Sequence, residues 1–282
     1  MRNIVAYSAV SGIDWSGPSR QPCPTCGRGL KDRSCGVTVE PGGNGVAHCF
    51  RCGYVETIHG GRAAGRHGNY TCERSADKQD SKLSTYGRDL WDECIPIEGV
   101  AHAYLNARQC VIPPAAGHLR CHPKLKHWPS GSIGPALVAL VTDAVTGEPM
   151  SLHRTWVQAD GSKAQMDPAR MLLKDHSKAG GVVRLWPDED VTTSLGIGEG
   201  IETTLSLAHA FTPTWALIDA GNLAAMPLLK GVQSLLIAAD NDPPGIAAAK
   251  SCAMRWARQG REVRIVLPEA PRSDLNDLVR SA

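Results

Sequence analysis

The sequence predicts an α/β fold over its C-terminal third, a parallel sheet with helices on both faces, preceded by a small α+β region and an N-terminal β ribbon. Three observations carry this. From residue 191 onward strand-like and helix-like stretches alternate strictly, the middle region holds an apolar run followed by an alternating run, and the first 56 residues hold two Cys-x-x-Cys pairs around a Gly-rich hairpin pattern.

In the C-terminal third, "TSLGIG", "TWALIDA", "SLLIAAD" and "EVRIVLP" read as strands. "IETTLSLAHAF", "NLAAMPLL", "PGIAAAKSCAMRWARQG" and "DLNDLVRSA" read as the helices between and after them. Such alternation implies a Rossmann-like parallel sheet, because each crossover helix returns the chain to start the next strand in the same direction. In the middle, "AHAYLNARQC" predicts a short helix, "PALVALVTD" a buried strand ended by the turn "AVTGEP", and "MSLHRTWVQ" its hairpin partner. Between ribbon and middle, "TIHGGRAAGRHGNYTCERSADKQDSKLSTYGRD" is rich in Gly, Ser and charge and poor in aliphatic residues, which predicts a tether. The expected organisation is a ribbon over 1–56, a linker over 57–90, an α+β region over 91–190 and the α/β domain over 191–282.

Composition agrees with a folded chain of this kind. At 282 residues, 42% hydrophobic and 21% charged, it can bury a real core. No apolar run is long enough to span a membrane and "MRNIVAYSAV" lacks a signal-peptide pattern, so no membrane partner and a cytoplasmic location are expected. The formal charge of +2 is too small to point to a polyanion, but residues 1–90 carry about four more basic than acidic groups. Nucleic acid is therefore expected at the N-terminal end.

Ten cysteines without a signal peptide favour metal over disulfides. Cys23 and Cys26 in "PCPTCG", with Cys49 and Cys52 in "HCFRCG", can aim four thiolates at one tetrahedral Zn(II). The gap of roughly 22 residues between the pairs exceeds the usual ribbon spacing, and a longer hairpin through "GVTVEPGGNGVAH" absorbs it. Cys35 and His48 are reserve ligands; Cys72, Cys94, Cys110, Cys121 and Cys252 read as isolated thiols. The "CHPKLKH" cluster resembles a ligand group without completing one.

The acids of the α/β domain fall at strand ends, where ligands of parallel sheets gather. Glu199 follows one predicted strand, Asp240 and Asp242 a second, and Asp274 a third, with Asp277 able to assist. Clustered carboxylates of this kind suit Mg(II) or Mn(II) and a phosphate-bearing substrate. The bland alternative is helix capping, with "DNDPPG" an N-cap followed by proline. Three strand ends bearing acids together favour a site.

"GEGIETTLSLA", "WALIDAGNL", "LLIAADNDPPGIAAA" and "SDLND" resemble the Toprim domain of bacterial and phage primases, topoisomerases and related nucleases, with the compact Toprim modules of phage and plasmid primases the nearest in kind. "YLNARQC", "HRTWVQADGSKAQMDPARMLL" and "VRLWP" are similar to the first half of the RNA-polymerizing region of those primases, and the ribbon to their zinc-binding domain. One departure stands out: many primases carry a second acid four residues after the Glu, where this chain has Thr203, and Glu202 lies one position earlier. The resemblance implies that Glu199 acts on the attacking 3′-hydroxyl while Asp240, Asp242 and Asp274 hold Mg(II) or Mn(II). Arg154, Lys163, Arg170, Lys174 and Arg184 are then the candidate nucleotide and template contacts, each with a solvated surface charge as its alternative.

Beside the cysteine pairs, Phe50, Arg51 and Tyr54, with Arg28, Lys31 and Arg33, offer aromatic and basic groups to a single strand. The expected function is a DNA-dependent RNA primase using single-stranded DNA and ribonucleoside triphosphates. No G-x-x-x-x-G-K-[ST] segment occurs, so a separately encoded helicase is the expected partner. A Toprim nuclease and a catalytically degenerate DNA-binding module are the alternatives, and a topoisomerase would need a further tyrosine-bearing domain.

Overall fold

Residues 13–25, 32–39, 43–49, 54–59, 62–63 and 82–281 are described in the computed structural model, and the chain divides into two units, 1–75 and 76–282. In the first, strands β1 (Arg20–Gln21), β2 (Cys35–Val39), β3 (Gly45–Cys49), β4 (Val55–His59) and β5 (Arg62–Ala63) form an antiparallel meander in chain order. β3 has the alternation of a half-buried strand: Gly45, Ala47 and Cys49 face inward, Val46 and His48 outward. Cys49 lies opposite Cys35 on β2, and both pack with Cys23, Ile13, Val37 and Ala47. Among the described residues this cluster holds six buried side chains, a very small core of the kind in which small modules rely on a metal or a cross-link.

The second unit opens with helices α1 (Thr85–Asp92) and α2 (Gly99–Ala107), continues through strands β6 (Leu119–Lys126), β7 (Ile133–Asp143), β8 (Pro149–Trp156), β9 (Arg170–Leu172) and β10 (Gly181–Arg184), and ends in the alternating series β11 (Ser194–Gly198), α3 (Ile201–Leu207), β12 (Thr214–Ala216), α4 (Ala220–Ala225), β13 (Ser234–Ala238), α5 (Pro243–Ala257), β14 (Glu262–Val266) and α6 (Leu275–Ser281). One mixed sheet holds all of these strands, in the order β14-β13-β11-β12-β10-β7-β8-β9, with β6 also pairing β7. The four strands from β14 to β12 are parallel, and β10 joins them to the antiparallel strands of the middle region. Among the described residues no helix is long and apolar enough to cross a membrane.

Parity along the parallel strands separates two cores. Leu195 and Ile197 of β11 and Leu235 and Ile237 of β13 pack toward Leu223 of α4 and Cys252 and Trp256 of α5. Leu236 and Ala238, of opposite parity, meet Leu207 and Leu275 on the α3 and α6 side. Gly198 is dictated by close approach: a Cβ there would stand 2.5 Å from Thr204 Oγ1, so any side chain would push α3 off the strand end.

Two expectations change. The tether expected over 57–90 is helical at its end, because Thr85–Asp92 forms α1, capped by Ser84 Oγ accepting from the Gly87 N–H at 3.2 Å. Leu83 and Leu90 are buried against β7 and β8, so a short apolar stripe outweighs the polar composition; residues 64–81 of the expected tether lie outside the described residues. The alternation of "MSLHRTWVQ" does not mark a half-exposed strand, since every residue from Met150 to Trp156 is buried, with Leu152 and Trp156 packed against Leu90 of α1. In "CHPKLKH", Cys121 to Lys126 lie in strand β6, with Cys121 opposite Leu137 across the sheet, and His127 follows in the turn.

Candidate active site

At the carboxyl ends of β11 and β13, Glu199 and Asp240 line one cavity of about 130 Å³ with Asp274, which precedes α6. The remaining wall is Arg108, Lys163, Arg170, Gly200, Glu202, Thr203 and Ile218. Four carboxylates, Glu202 among them, thus meet three cations in one recess.

Each acid arrives by a local rule. β11 ends at Gly198 and α3 begins at Ile201, so Glu199 sits in the strand-to-helix turn. Asp240 follows β13, and Asn241 organises what comes next. Its side-chain amide donates to Pro268, Glu269 and Ala270 carbonyls at 2.9, 3.2 and 3.1 Å. Its backbone N–H donates to Ser273 O at 2.9 Å and its carbonyl accepts from Arg272 N at 2.7 Å. Asn241 therefore staples the loop that carries Asp274 to the strand that carries Asp240. Asp274 and Asp277 form a reciprocal cap at the start of α6, with Asp277 N donating to Asp274 Oδ1 at 2.9 Å and Asp274 N to Asp277 Oδ2 at 3.3 Å.

Asp242 does what the capping alternative requires: its Oδ1 accepts from Gly245 N at 2.8 Å, with proline in the first turn of α5. It lies beside the cavity rather than in its wall, yet its charge reaches both Glu199 and Asp240. Burial, then the charges of Asp240, Asp242 and Asp219, push the Glu199 carboxyl up to about 7. Burial, then Asp274 and Asp242, push Asp240 up to about 6. Crowded, desolvated carboxylates are costly to ionise unless a cation joins them.

Among the described residues no three His, Cys, Asp or Glu side chains already enclose an ion. The donor set nonetheless fits magnesium, which keeps several waters and takes one or two carboxylates. Asp240 Oδ1 is buried without a hydrogen-bond partner, an acceptor aimed at something absent from the chain itself. Asp240 and Asp274 are the residues that would hold the ion.

The cations separate sharply. Lys163 and Arg170 line the cavity, and the structure adds Arg108, which no sequence motif marks. Arg108 is pinned by Nε donating to Gly161 O at 2.9 Å and Nη1 to Asn276 Oδ1 at 2.9 Å. Buried Asn276 answers by donating to Arg108 O at 2.8 Å and Ser206 Oγ at 3.0 Å. No local signal could have found Arg108, since its partners come from 53 and 168 residues away.

Arg154 and Arg184 are corrections. Both are buried and outside the cavity wall. Arg154 Nη2 donates to Leu172 O at 2.8 Å. Arg184 is held by Asp188 at 2.6 Å, by Thr142 Oγ1 and by the Asp143 and Ala144 carbonyls, with its guanidinium over the Trp215 ring. The Arg184 nitrogens are committed to these partners, and burial closes off Arg154, whose Nε has no hydrogen-bond partner, which leaves little of either for a phosphate. Lys174 is exposed and lies outside the cavity wall.

Glu202, one position short of the second acid that the family pattern calls for, is the hub of the recess. It is buried and accepts from Tyr104 Oη at 2.7 Å and from Arg170 Nη2 at 2.9 and 3.0 Å. Burial by itself would raise its carboxyl; the Arg170 charge, the Tyr104 hydroxyl, backbone N–H donation and Lys163 outweigh burial and hold it at about 2. Ile218, a β-branched residue at φ +73°, occupies the left-handed region in the cavity wall, a strain of roughly 1–3 kcal/mol of the kind found at functional sites.

In the N-terminal unit, Cys23, Cys35 and Cys49 are buried together, while Cys26 and Cys52 lie outside the described residues. Of the reserves, Cys35 shares the inward face with Cys49, and His48 points outward. Phe50 and Arg51 also lie outside the described residues.

Residues 194–282 match the Toprim domain family, and residues 81–185 match a domain of unknown function (DUF7146). The protein is thus one that carries a C-terminal Toprim domain, its acids at the strand ends of a mixed sheet, behind an N-terminal antiparallel sheet. No curated protein matches the chain. Among solved structures it is similar to the primase fragment of the bacteriophage T7 primase-helicase protein, at 14% identity over 94% of this chain and 95% of that one, TM-score 0.41. It is similar to the zinc-binding and RNA polymerase domains of the Aquifex aeolicus primase, at 15% identity over 68% and 55% of the chains, TM-score 0.44. A Pseudomonas aeruginosa DNA primase domain aligns at 16% identity over 59% and 53%, TM-score 0.37. The chain spans about half the length of the last two.

Proposed function

We propose that this protein is a metal-dependent nucleotidyltransferase, a primase that makes short RNA primers on single-stranded DNA. The observation that carries the reading is the cavity in which Glu199, Asp240 and Asp274 face Arg108, Lys163 and Arg170. A triphosphate has the charge such a half-acidic, half-basic recess needs: its phosphates satisfy the cations while a bound divalent ion reconciles them with the carboxylates. The order of modules in the sequence supports the same reading, with a cysteine ribbon preceding the catalytic region.

In the reaction a 3′-oxygen attacks the α-phosphorus, the bond from that phosphorus to the β-phosphate oxygen breaks, and pyrophosphate leaves. Glu199, pushed up to about 7, is matched to accept the hydroxyl proton near neutral pH. Arg108, Lys163 and Arg170 orient the triphosphate and take up charge on the departing pyrophosphate. Glu202 and Tyr104 fix Arg170 in place, and Asn276 fixes Arg108. Magnesium, when bound, supplies Lewis-acid polarisation at the phosphates. Zinc on the paired cysteines would rigidify the ribbon that offers its aromatic and basic groups to the template strand.

The test is synthesis on a pool of single-stranded DNA templates with labelled ribonucleotides and Mg(II) or Mn(II). Short labelled oligonucleotides that vanish in Asp240→Ala are expected. Metal-dependent cleavage of the template without synthesis would instead make the protein a nuclease, and DNA affinity without either activity a binding module.

A further inference from the structure

At the tip of the β6–β7 hairpin two adjacent residues have opposite fates: His127 is fully buried and Trp128 is 62% exposed. His127 is anchored at both ring nitrogens, Nδ1 to Ser130 Oγ at 2.7 Å and Nε2 to Pro168 O at 3.1 Å, and stands edge-on to Trp156 at 4.8 Å between centroids. Its backbone N–H donates to Ser132 O at 2.7 Å and its carbonyl accepts from Gly131 N at 2.8 Å, closing the turn. The indole of Trp128 is therefore presented to water by a rigid support.

The surroundings of that indole are basic. Lys126 Nζ lies 4.0 Å from its ring centroid, Lys124 is exposed, and Ile133, opposite Lys126 on β7, is 64% exposed. No Asp or Glu occurs between Glu98 and Asp143, and on the adjoining loop the exposed acids are Asp160 and Asp167. That loop, residues 157–169, is tied to the hairpin by the His127–Pro168 contact and by Val157 N donating to Pro135 O at 3.1 Å, and it carries Lys163 into the cavity wall.

We propose that the hairpin tip binds single-stranded DNA, with Trp128 stacking on a base and Lys124 and Lys126 meeting backbone phosphates. This rests on the primase reading for its biological setting. A projecting aromatic with cations and almost no acids matches the stacking platform of single-strand binders, and only an unpaired base can lay a free face on the indole. The cations leave protein partners without an evident acid-selective reason for Trp128, whereas a polyanion explains both.

The test is anisotropy of a labelled oligothymidylate titrated with the full chain. Trp128→Ala is expected to weaken binding about tenfold, and Trp128→Phe, which keeps a stacking face, to stay within about threefold of wild type. Lys124→Ala with Lys126→Ala should lower the slope of log K against log salt by about 1.4, roughly 0.7 for each phosphate that is no longer neutralised. Because Trp128 has little packing to forfeit, the melting temperature should hold. Affinity of Trp128→Ala within about twofold of wild type, or no binding by the wild-type chain, overturns the proposal. Weakened binding by Trp128→Ala in a wild-type protein that makes no primer would remove the primase reading and keep this one.

Discussion

Arg170 donates from one nitrogen, Nη2, to both carboxylate oxygens of Glu202, at 2.9 and 3.0 Å. The pair joins β9 of the middle region to α3 of the Toprim domain, and Tyr104 of α2 completes it from a third element. A cavity cation is thus positioned by an acid that belongs to the other half of the unit.

Glu202→Gln should therefore reduce both stability and catalysis. The amide keeps an acceptor for Tyr104 but leaves Arg170 without its charge partner, and since Arg170 is 40% exposed the stability loss should be near the lower range for buried pairs, about 1–3 kcal/mol. Urea unfolding reads this directly. In synthesis assays the variant should raise KM for nucleotide more than it lowers kcat, because ground-state positioning is what Arg170 supplies; Glu202→Asp should recover part of the loss, and unchanged KM would mean that the pair is only structural.

The same pair sets a pH window. Glu202 titrates at about 2 when folded and near 4.5 when unfolded, so its contribution is complete above pH 4.5 and declines as pH falls toward 2. The stability difference between wild type and Glu202→Gln should be flat from pH 7 to about pH 5 and shrink to under about half by pH 3.

Asp240 has the opposite sign. Its folded value of about 6 lies above the usual aspartate range, so its ionised form opposes folding near neutral pH when no cation is present. Asp240→Asn should raise the melting temperature in chelator, an effect of about 1–2 kcal/mol. Adding millimolar magnesium should raise that of wild type and leave the variant unmoved. A wild-type protein indifferent to magnesium would remove Asp240 from any metal site.

Metal content tests the N-terminal unit. Plasma emission analysis of the full chain should find about one zinc per molecule, absent from Cys49→Ser and kept in Cys35→Ser, with the four thiolates of the two pairs filling a tetrahedral site. In magnesium-free buffer, zinc chelation should melt the ribbon while leaving the unfolding of residues 76–282 unchanged, since that unit has cores of its own.

Local periodicity and local spacing made part of the fold legible from residue order alone. The strictly alternating strands and helices after residue 191 recur as β11 to α6, and the acids of "GEG" and "DND" follow strand ends because the residues flanking them end strands and start helices, whereas Asp274 of "SDLND" stands at the start of α6, eight residues beyond β14. The hairpin of β7 and β8 and the cysteine-bearing hairpin of β2 and β3 were legible for the same reason. Which cations face the acids was settled instead by the assembled sheet. Arg154 lies in a strand covered on both sides, where alternation carries no information about exposure, whereas Arg108 reaches the cavity through partners 53 and 168 residues distant. Glu202 shows why: a carboxylate on a helix reads as a surface charge until Tyr104, 98 residues earlier, and Arg170, 32 residues earlier, close over it, and a single sequence cannot display contacts that exist only after the sheet has brought them together.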